Sequence, residues 1–532
     1  MEATYVLKSK SIFNGTAPNS FSGGVVINEN KIVGVFPEEK LNFYIGSNTK
    51  VIDFGNKLIM PGFIDSHMHF GGEFDSLDPS YCIDVRDAKS FSEVTSKISD
   101  FITKYPNNKV VKVSGYNFLA LSDHTIPDKN LLDKYVSDRP LLIQTWEGHT
   151  FFVNTKTIEA LGITKDTPDP NNGMGRSDDG EPNGVFNDSF AFKMAELTKR
   201  PLMERKDSMI NCMKILNQNG ITTISDMYPC GSTKPYPLYK VLEKDLTVRI
   251  TFYPALLGFT KEEVADYQKT YNSPMLQFGG LKNLLDGVIS VHTAWMTEPY
   301  ADAPDTCGYP AFNPEDVKAK ILEAAEMGIP VRIHTIGDKS VSYILDCFEE
   351  AAKKYGTPVK HNVMEHLEYV RDEDIPRFSE LNVVCAMQGR HITTYVGSLE
   401  KIMGECSKLA FRWRDILDSG AIIGTGSDWN VVTFNPAVCI YAAVTRQRED
   451  GLPNGGLIPE QKVLLAEVLK AYTYGSACAI NREKEIGTLE PGKLADIVVL
   501  DRDLFSAEKP EDYLDMKPIL TMVDGRIVYQ NY

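Results

Sequence analysis

The sequence predicts an α/β chain: a (β/α)8 TIM barrel, a composite β-sandwich domain drawn from both termini, and an insertion after the first barrel strand. Three observations carry that expectation. Beyond residue 205, apolar strand-like runs and amphipathic helical stretches alternate at intervals of about 30 to 50 residues, which calls for parallel strands with helical crossovers. Both ends of the chain instead show short strands alternating apolar and polar positions around tight turns. Between them, residues 61–70 (PGFIDSHMHF) climb like the end of a buried strand, and a region of mixed pattern follows.

The chain has 532 residues, too many for one small core when a domain takes about 100 to 200. Apolar content of 42% and charged content of 24% are those of a soluble globular protein. No apolar run approaches the roughly 18 residues that span a bilayer, and the start, MEATYVLKSKSIFNG, lacks a signal-peptide core. These features predict a cytoplasmic protein without a membrane partner. Nine cysteines are scattered with no C-x-x-C, the pattern of reduced, mostly buried thiols and not of a disulfide framework or a thiolate zinc site. A net charge of −16 repels phosphate backbones and argues against nucleic acid.

In chain order, residues 3–14, 24–36 and 49–53 read as antiparallel strands, as do 496–501, 520–524 and 526–530, the last two hinged at Asp524-Gly525. Neither end holds enough material to fold securely alone, so residues 1–58 and 482–532 are expected to form one composite β-domain. Residues 59–80 and 205–481 are assigned to the barrel. Strand-like runs ending at Asp65 and near Ile224, Thr251, Leu285, Ile333, Met364, Cys385 and Gly424 supply its strands. Residues 81–204 are the insertion, expected to line the substrate pocket; within it, 167–183 is loop by composition.

In such a barrel, site residues come from the C-terminal ends of several strands. His67 and His69, two apart, point the same way on a strand and could grip one metal ion. Lys282 lies in GGLKNLLDG, His334 closes VRIHTIGD, His366 closes NVMEHLE and Asp428 closes AIIGTGSD. Each has an ordinary explanation: a surface lysine, core histidines, an aspartate capping the next helix. Together, four histidines, an aspartate and a lysine at strand ends make a nitrogen and oxygen set suited to zinc, and less decisively to manganese, iron or nickel.

The set PGFIDSHMH, IHTIGD, MEHLE, GSDWNVVTFNP and GTLEPGKLADIVVLD resembles the amidohydrolase superfamily, specifically its N-substituted formamide deformylase-like branch (amidohydrolase family 3). WEGH, GYPAFNPEDV, AVTR and AYTYGSACA are similar to it as well. The resemblance implies one or two divalent metals. His67 and His69 would bind the more buried ion with Asp428, and His334 and His366 the second. Lys282, carboxylated by carbon dioxide, would bridge both. It also implies a metal-activated hydroxide as nucleophile and Asp428 as general base. Homo-oligomerisation is common among such barrels, without a fixed subunit number.

Around that centre the sequence offers weaker candidates. His149 is either a hydrogen-bond donor to substrate or a structural residue of the insertion. Arg390 and His391 follow the strand ending near Met387, and an arginine there either clamps a substrate carboxylate or is paired elsewhere. Trp146, Glu147 and Trp429 are further candidates for the substrate pocket. Glu147-Gly148-His149, Gly115-Tyr116-Asn117 and Asp188 depart from the branch's usual pattern, which leaves the metal chemistry intact and the substrate open. The leading function is hydrolysis of a small-molecule C–N bond in an amide, an N-formyl or N-acyl group or a cyclic amide. The alternatives are an esterase, lactonase or deaminase on the same site and, from a different class, a non-catalytic barrel scaffold.

Overall fold

The computed structural model describes residues 2–118, 121–146, 148, 150–169, 173–187, 190, 193–194, 197–198, 200–227 and 234–532. The chain divides into two compact units, Met1–Met68 with Lys214–Tyr228 and Asp245–Tyr532, and His69–Met213 with Pro229–Lys244. The fold is mixed α/β.

In the first unit, strands of both termini hydrogen-bond into one eight-stranded sheet. Its N-terminal strands are Tyr5–Ile12, Phe21–Asn28, Lys31–Phe36, Lys50–Asp53 and Leu58–Pro61, and its C-terminal strands are Ile497–Leu500, Pro518–Val523 and Arg526–Gln530. The two ends of the chain meet where Ile497, Val498 and Val499 pair antiparallel with Pro61, Met60 and Ile59. Leu7, Ile12, Val25, Ile27 and Ile59 share a hydrophobic cluster with Ile497, Val499, Leu520 and Met522. Neither terminal piece could bury these side chains by itself.

The same unit holds eight parallel strands: β1 (Phe63–Met68), β2 (Ile221–Met227), β3 (Arg249–Tyr253), β4 (Leu281–Leu284), β5 (Val331–Thr335), β6 (Asn362–His366), β7 (Val383–Met387) and β8 (Ile422–Thr425). β1, β2 and β3 pair in that order, with Leu276–Phe278 beyond β3, and β4 to β8 pair in a second series. Parallel bridges between Ala255 and Lys282 and between Met68 and Trp429 join the two series at both ends. The strands are almost wholly buried, as parallel strands are when helices cover their faces. Two crossover helices are well marked. Pro314–Glu326 opens on the Asn313 side chain and a proline at its first turn, a favoured start. Asp338–Tyr355 buries Val341, Ile344, Leu345 and Phe348 at helical spacing.

The second unit carries its own six-stranded sheet, in the order Met174–Arg176, Pro182–Asn187, Thr150–Val153, Leu141–Thr145, Val111–Tyr116, Cys82–Asp84. The helix Phe91–Lys104, capped by Ser90 Oγ at Glu93 N, packs Phe91, Val94, Ile98 and Phe101 against Val111, Val113, Leu141 and Ile143. Residues 167–183, read above as loop, are corrected in part: Met174–Arg176 pairs with Pro182–Asn187 as a hairpin. The polar residues that suggested loop are its turn, where Gly180 N donates to Ser177 O and Gly180 adopts a positive φ of 82°. Among the described residues, no helix is long and apolar enough to cross a membrane.

Candidate metal centre

β1 ends in Asp65-Ser66-His67-Met68, all buried, and the backbone there is held by one carboxylate. Asp65 Oδ1 accepts from His67 N at 3.2 Å and Ser427 N at 2.9 Å, while Oδ2 accepts from Ser427 Oγ at 2.6 Å. Asp428 N donates to His67 O at 2.7 Å. The end of β1 and the turn after β8 are thereby locked in register. Burial raises the Asp65 carboxyl to about 6, against the hydrogen bonds from Ser427 and His67. Gly426 is required by closeness, since a Cβ on it would lie 2.4 Å from His67 N and 2.8 Å from Asp65 Oδ1.

His67 is fixed at both ring nitrogens. Nδ1 lies 2.7 Å from Glu365 Oε2 and Nε2 lies 3.2 Å from Asp428 Oδ1. Burial pulls the imidazole down, but the Glu365 and Asp428 carboxylates outweigh it and raise its pKa. Glu365 is itself held by Arg332, whose Nε lies 2.6 Å from Oε1. Burial opposes ionisation of Glu365, yet Arg332 and His67 keep its pKa well below the usual value. A carboxylate on the far nitrogen of a ligating histidine sets the tautomer and orients the ring.

His67, His69 and Asp428 each offer a ligand atom, and these atoms all lie within 4.8 Å of one another. His366, His391 and Asp428 form a second such triplet. Asp428 serves both, with Oδ2 3.5 Å from His391 Nε2. His366 Nδ1 is 2.9 Å from Gln388 Oε1, and His391 Nδ1 is 3.3 Å from Glu368 Oε1. Burial, with the nearby His334 second, holds the His366 pKa well below normal, so the ring is neutral and keeps a lone pair.

His334 adjoins this group, its ring centroid 4.4 Å from that of His366. Burial, with the Lys282 charge second, pushes its pKa down to about 3. Among the described residues it belongs to no ligand triplet. Its Nε2 lies 3.2 Å from Gly287 O and 3.8 Å from Asp286 Oδ1. Asp286 in turn accepts from the backbone N–H groups of Ile336, Gly337 and Trp295. Lys282, on β4, is buried and in register with Arg332 of β5. Its positive charge bears on His67, His334, His366 and Glu365.

The substrate candidates divide differently. Trp429 is buried, its backbone N donating to Ser427 Oγ at 2.9 Å and its ring set edge-on to Phe434 at 5.5 Å. Arg390 directs its guanidinium to Thr393 Oγ1 and to Glu449, 3.4 Å away, so the fork that a carboxylate clamp requires is engaged within the chain. Trp146 belongs to the second unit and donates its backbone N–H to Tyr116 O at 3.1 Å. Glu147 and His149 lie outside the described residues, as does Asp188. Glu365, Arg332 and Asp65 also build the centre and are not marked by strand-end spacing. Their signal was a charged side chain inside an otherwise apolar strand run.

A model of the amidohydrolase family matches residues 50–529. Protein LONG AFTER FAR-RED 3 of Arabidopsis thaliana is 25% identical over 99% of this chain and 92% of its own length. N-substituted formamide deformylase of Arthrobacter pascens is 23% identical over 97% of this chain and 96% of its own. Among solved structures, an uncharacterized metal-dependent hydrolase from Pyrococcus horikoshii aligns with a TM-score of 0.77 at 24% identity. That alignment covers 95% of this chain and 98% of the other, a likeness of fold.

Proposed function

Because the chain belongs to the amidohydrolase family, and so is a hydrolytic enzyme acting on C–N bonds, we propose that it cleaves a small-molecule amide, an N-formyl or N-acyl group or a cyclic amide at a divalent metal centre. The observation that carries this reading is the meeting of His67, His69 and Asp428 within 4.8 Å, with His67 Nδ1 already committed to Glu365. Glu365 on Nδ1 orients the ring so that Nε2, 3.2 Å from Asp428 Oδ1, faces the position that a metal ion shared with that carboxylate would take. The donor set, two imidazoles and a carboxylate, suits zinc well. His366 and His334, kept neutral by burial, and Lys282, if carboxylated, are the further ligands we assign to a second ion.

A divalent ion held by these residues lowers the pKa of water toward neutrality and polarises an amide carbonyl. Asp428 is the general base, taking the proton of the attacking water and returning it to the leaving nitrogen. His391, 3.5 Å from Asp428 Oδ2 and anchored through Nδ1 to Glu368, steadies that carboxylate and faces the substrate. Trp429 closes the apolar side of the site.

We further read the eight parallel strands as one closed (β/α)8 barrel. The pairing of neighbours within each series and the two bridges that join the series support this. The terminal residues 1–58 and 482–532 are then its composite β-domain, residues 59–80 and 205–481 the barrel, and 81–204 the insertion.

The test is a hydrolysis screen of N-formyl and N-acyl amines, N-acyl amino acids, cyclic amides and aryl esters with zinc- or manganese-loaded protein, run beside metal analysis. Amide turnover that a chelator abolishes and metal restores is expected. Turnover of esters alone moves the reading to an esterase or lactonase. A chain that takes up no transition metal and gains no activity on metal addition is a scaffold.

A further inference from the structure

A second group of ligand-type side chains meets in the first unit, away from the centre described above. His361, Cys478 and Glu483 each offer a ligand atom within 4.8 Å of the others. His361 precedes β6 and His366 ends it, so at about 3.3 Å per residue the two groups stand about 16 Å apart along that strand. Nothing in the amidohydrolase chemistry uses these three residues.

Their surroundings are those of a prepared site. His361 Nδ1 lies 3.2 Å from Asn382 O, and since a carbonyl only accepts, Nδ1 carries the hydrogen and Nε2 the lone pair. A backbone carbonyl on the far nitrogen is the support that metal-ligating histidines have. The His361 backbone is stapled to the segment bearing the other two ligands: its N–H donates to Asn481 Oδ1 at 2.6 Å and its carbonyl accepts from Asn481 Nδ2 at 3.1 Å. Glu483 Oε2 is withdrawn from solvent and has no hydrogen-bond partner among the described residues, a costly state for a carboxylate oxygen. Cys478 is fully buried beside Val363, Val384 and Ala386. Burial pushes its thiol up to about 12, partly offset by a hydrogen bond from Tyr474.

We propose that His361 Nε2, Cys478 Sγ and a Glu483 carboxylate oxygen form a second, non-catalytic site for a zinc-like divalent cation. A neutral imidazole, a thiolate and a carboxylate cancel the charge of a dication, which answers the buried carboxylate oxygen. On binding, the Cys478 S–H bond breaks, its proton goes to solvent and a sulfur–metal bond forms; no electron is transferred. Tetrahedral coordination with zinc–sulfur near 2.3 Å and zinc–nitrogen near 2.0 Å sets ligand atoms about 3.5 Å apart, so closing around an ion takes a movement of about 1 Å. Three protein ligands leave a fourth position for water. The ion ties the start of β6 to the helix Ser476–Ala479 and the turn after it.

The experiment titrates cobalt(II) into the folded full-length chain and follows absorption. The catalytic set contains no thiolate, so a sulfur-to-cobalt charge-transfer band in the near ultraviolet reports this site alone, whatever the chain hydrolyses. The expected result is a band in the wild type that is lost in Cys478→Ser, with the variant holding one metal ion fewer per chain. Glu483→Gln should keep the band and weaken cobalt binding at least tenfold, which also serves if Cys478→Ser fails to fold. Absence of the band from the wild type, its survival in Cys478→Ser, or unchanged cobalt affinity in Glu483→Gln overturns the proposal.

Discussion

Arg332 Nε lies 2.6 Å from Glu365 Oε1, and neither side chain reaches solvent. Arg332 also donates to Ser66 O at 2.7 Å and Ser225 Oγ at 3.0 Å, and its guanidinium covers the Tyr253 ring at 4.8 Å. The pair therefore ties β1, β2, β3, β5 and β6 together and, through Glu365 Oε2, sets the His67 ring. Removing one partner of a buried ion pair costs about 3 to 5 kcal/mol because the other charge stays buried. Arg332→Met should lose about that much in urea or guanidinium unfolding. Loss below about 1 kcal/mol would show that the pair contributes geometry alone.

Glu365→Gln probes the same contact from the metal side. The amide keeps the shape but weakens the charge-assisted hold on His67 Nδ1. Partners of this kind are worth about 10- to 100-fold in metal affinity. Competition with a chelator should show that loss. Unchanged affinity would detach Glu365 from the metal centre.

Gly426→Ala tests the close approach beside β1. The new Cβ would press on the His67 backbone N and on Asp65 Oδ1, part of a carboxylate that three hydrogen bonds hold in place. Overpacking of this kind typically costs about 1 to 3 kcal/mol, and here it also displaces His67. Reduced bound metal together with a lowered unfolding midpoint is expected; full metal content would show that the turn gives way without moving the ligand.

Much of this was legible in the sequence, and for physical reasons. His67 and His69 were visible as a pair two apart where an apolar run ends. The strand stops at Met68, however, and His69 lies just beyond it at the start of the next helix, so strand periodicity is not what brings them together. Asp428 was visible because an apolar run stops at it. The terminal strands were visible through their alternation, down to the Asp524-Gly525 turn. Side-chain orientation was not. His391 looked like a pocket residue, and only the folded backbone brings its Nε2 within 3.5 Å of Asp428 Oδ2. His334 looked equivalent to His366, yet its Nε2 turns to the Gly287 carbonyl. Arg332 and Glu365 sit on adjacent strands whose register sets Arg332 opposite Val363 and Glu365 opposite His334, an offset across which the two side chains meet and that no spacing rule encodes. The Asp169 carboxylate, which accepts from Gly173 N and Met174 N, was counted as loop polarity when it braces a hairpin.

Arg249 supplies a pH-dependent test away from the metal ligands. It is buried between Asp496, with Nε–Oδ2 at 2.6 Å, and Asp524, with Nη2–Oδ1 at 2.9 Å, and so joins β3 to the C-terminal strands. Burial acts to raise the Asp524 carboxyl, but the hydrogen bond and charge of Arg249 win and hold it below the usual carboxylate range. A depressed carboxylate pKa adds stability above the unfolded value, and that stability is lost as pH falls through the folded one. The gap in unfolding free energy between wild type and Arg249→Met, about 3 to 5 kcal/mol near neutrality, should therefore narrow below about pH 4. A gap that widens on acidification would contradict the assignment.

Asp428→Asn separates the base from the ligand. One Asp428 oxygen stands 3.2 Å from His67 Nε2 and the other 3.5 Å from His391 Nε2, so the side chain touches both halves of the site. Asparagine keeps an oxygen toward the histidines and fills the same volume, but it cannot accept and return a proton near neutral pH. General acid–base catalysis by one group contributes about 10²- to 10⁴-fold. On the best amide substrate from the screen, kcat should fall by that factor while KM moves little, because the lost interaction belongs to the transition state. Metal content measured on the same sample decides between readings of a low rate: a loaded but slow variant marks a missing base, and a metal-free one marks a missing ligand. A loaded variant whose kcat stays within tenfold of wild type would place the proton transfer elsewhere, with His391 the next group to replace.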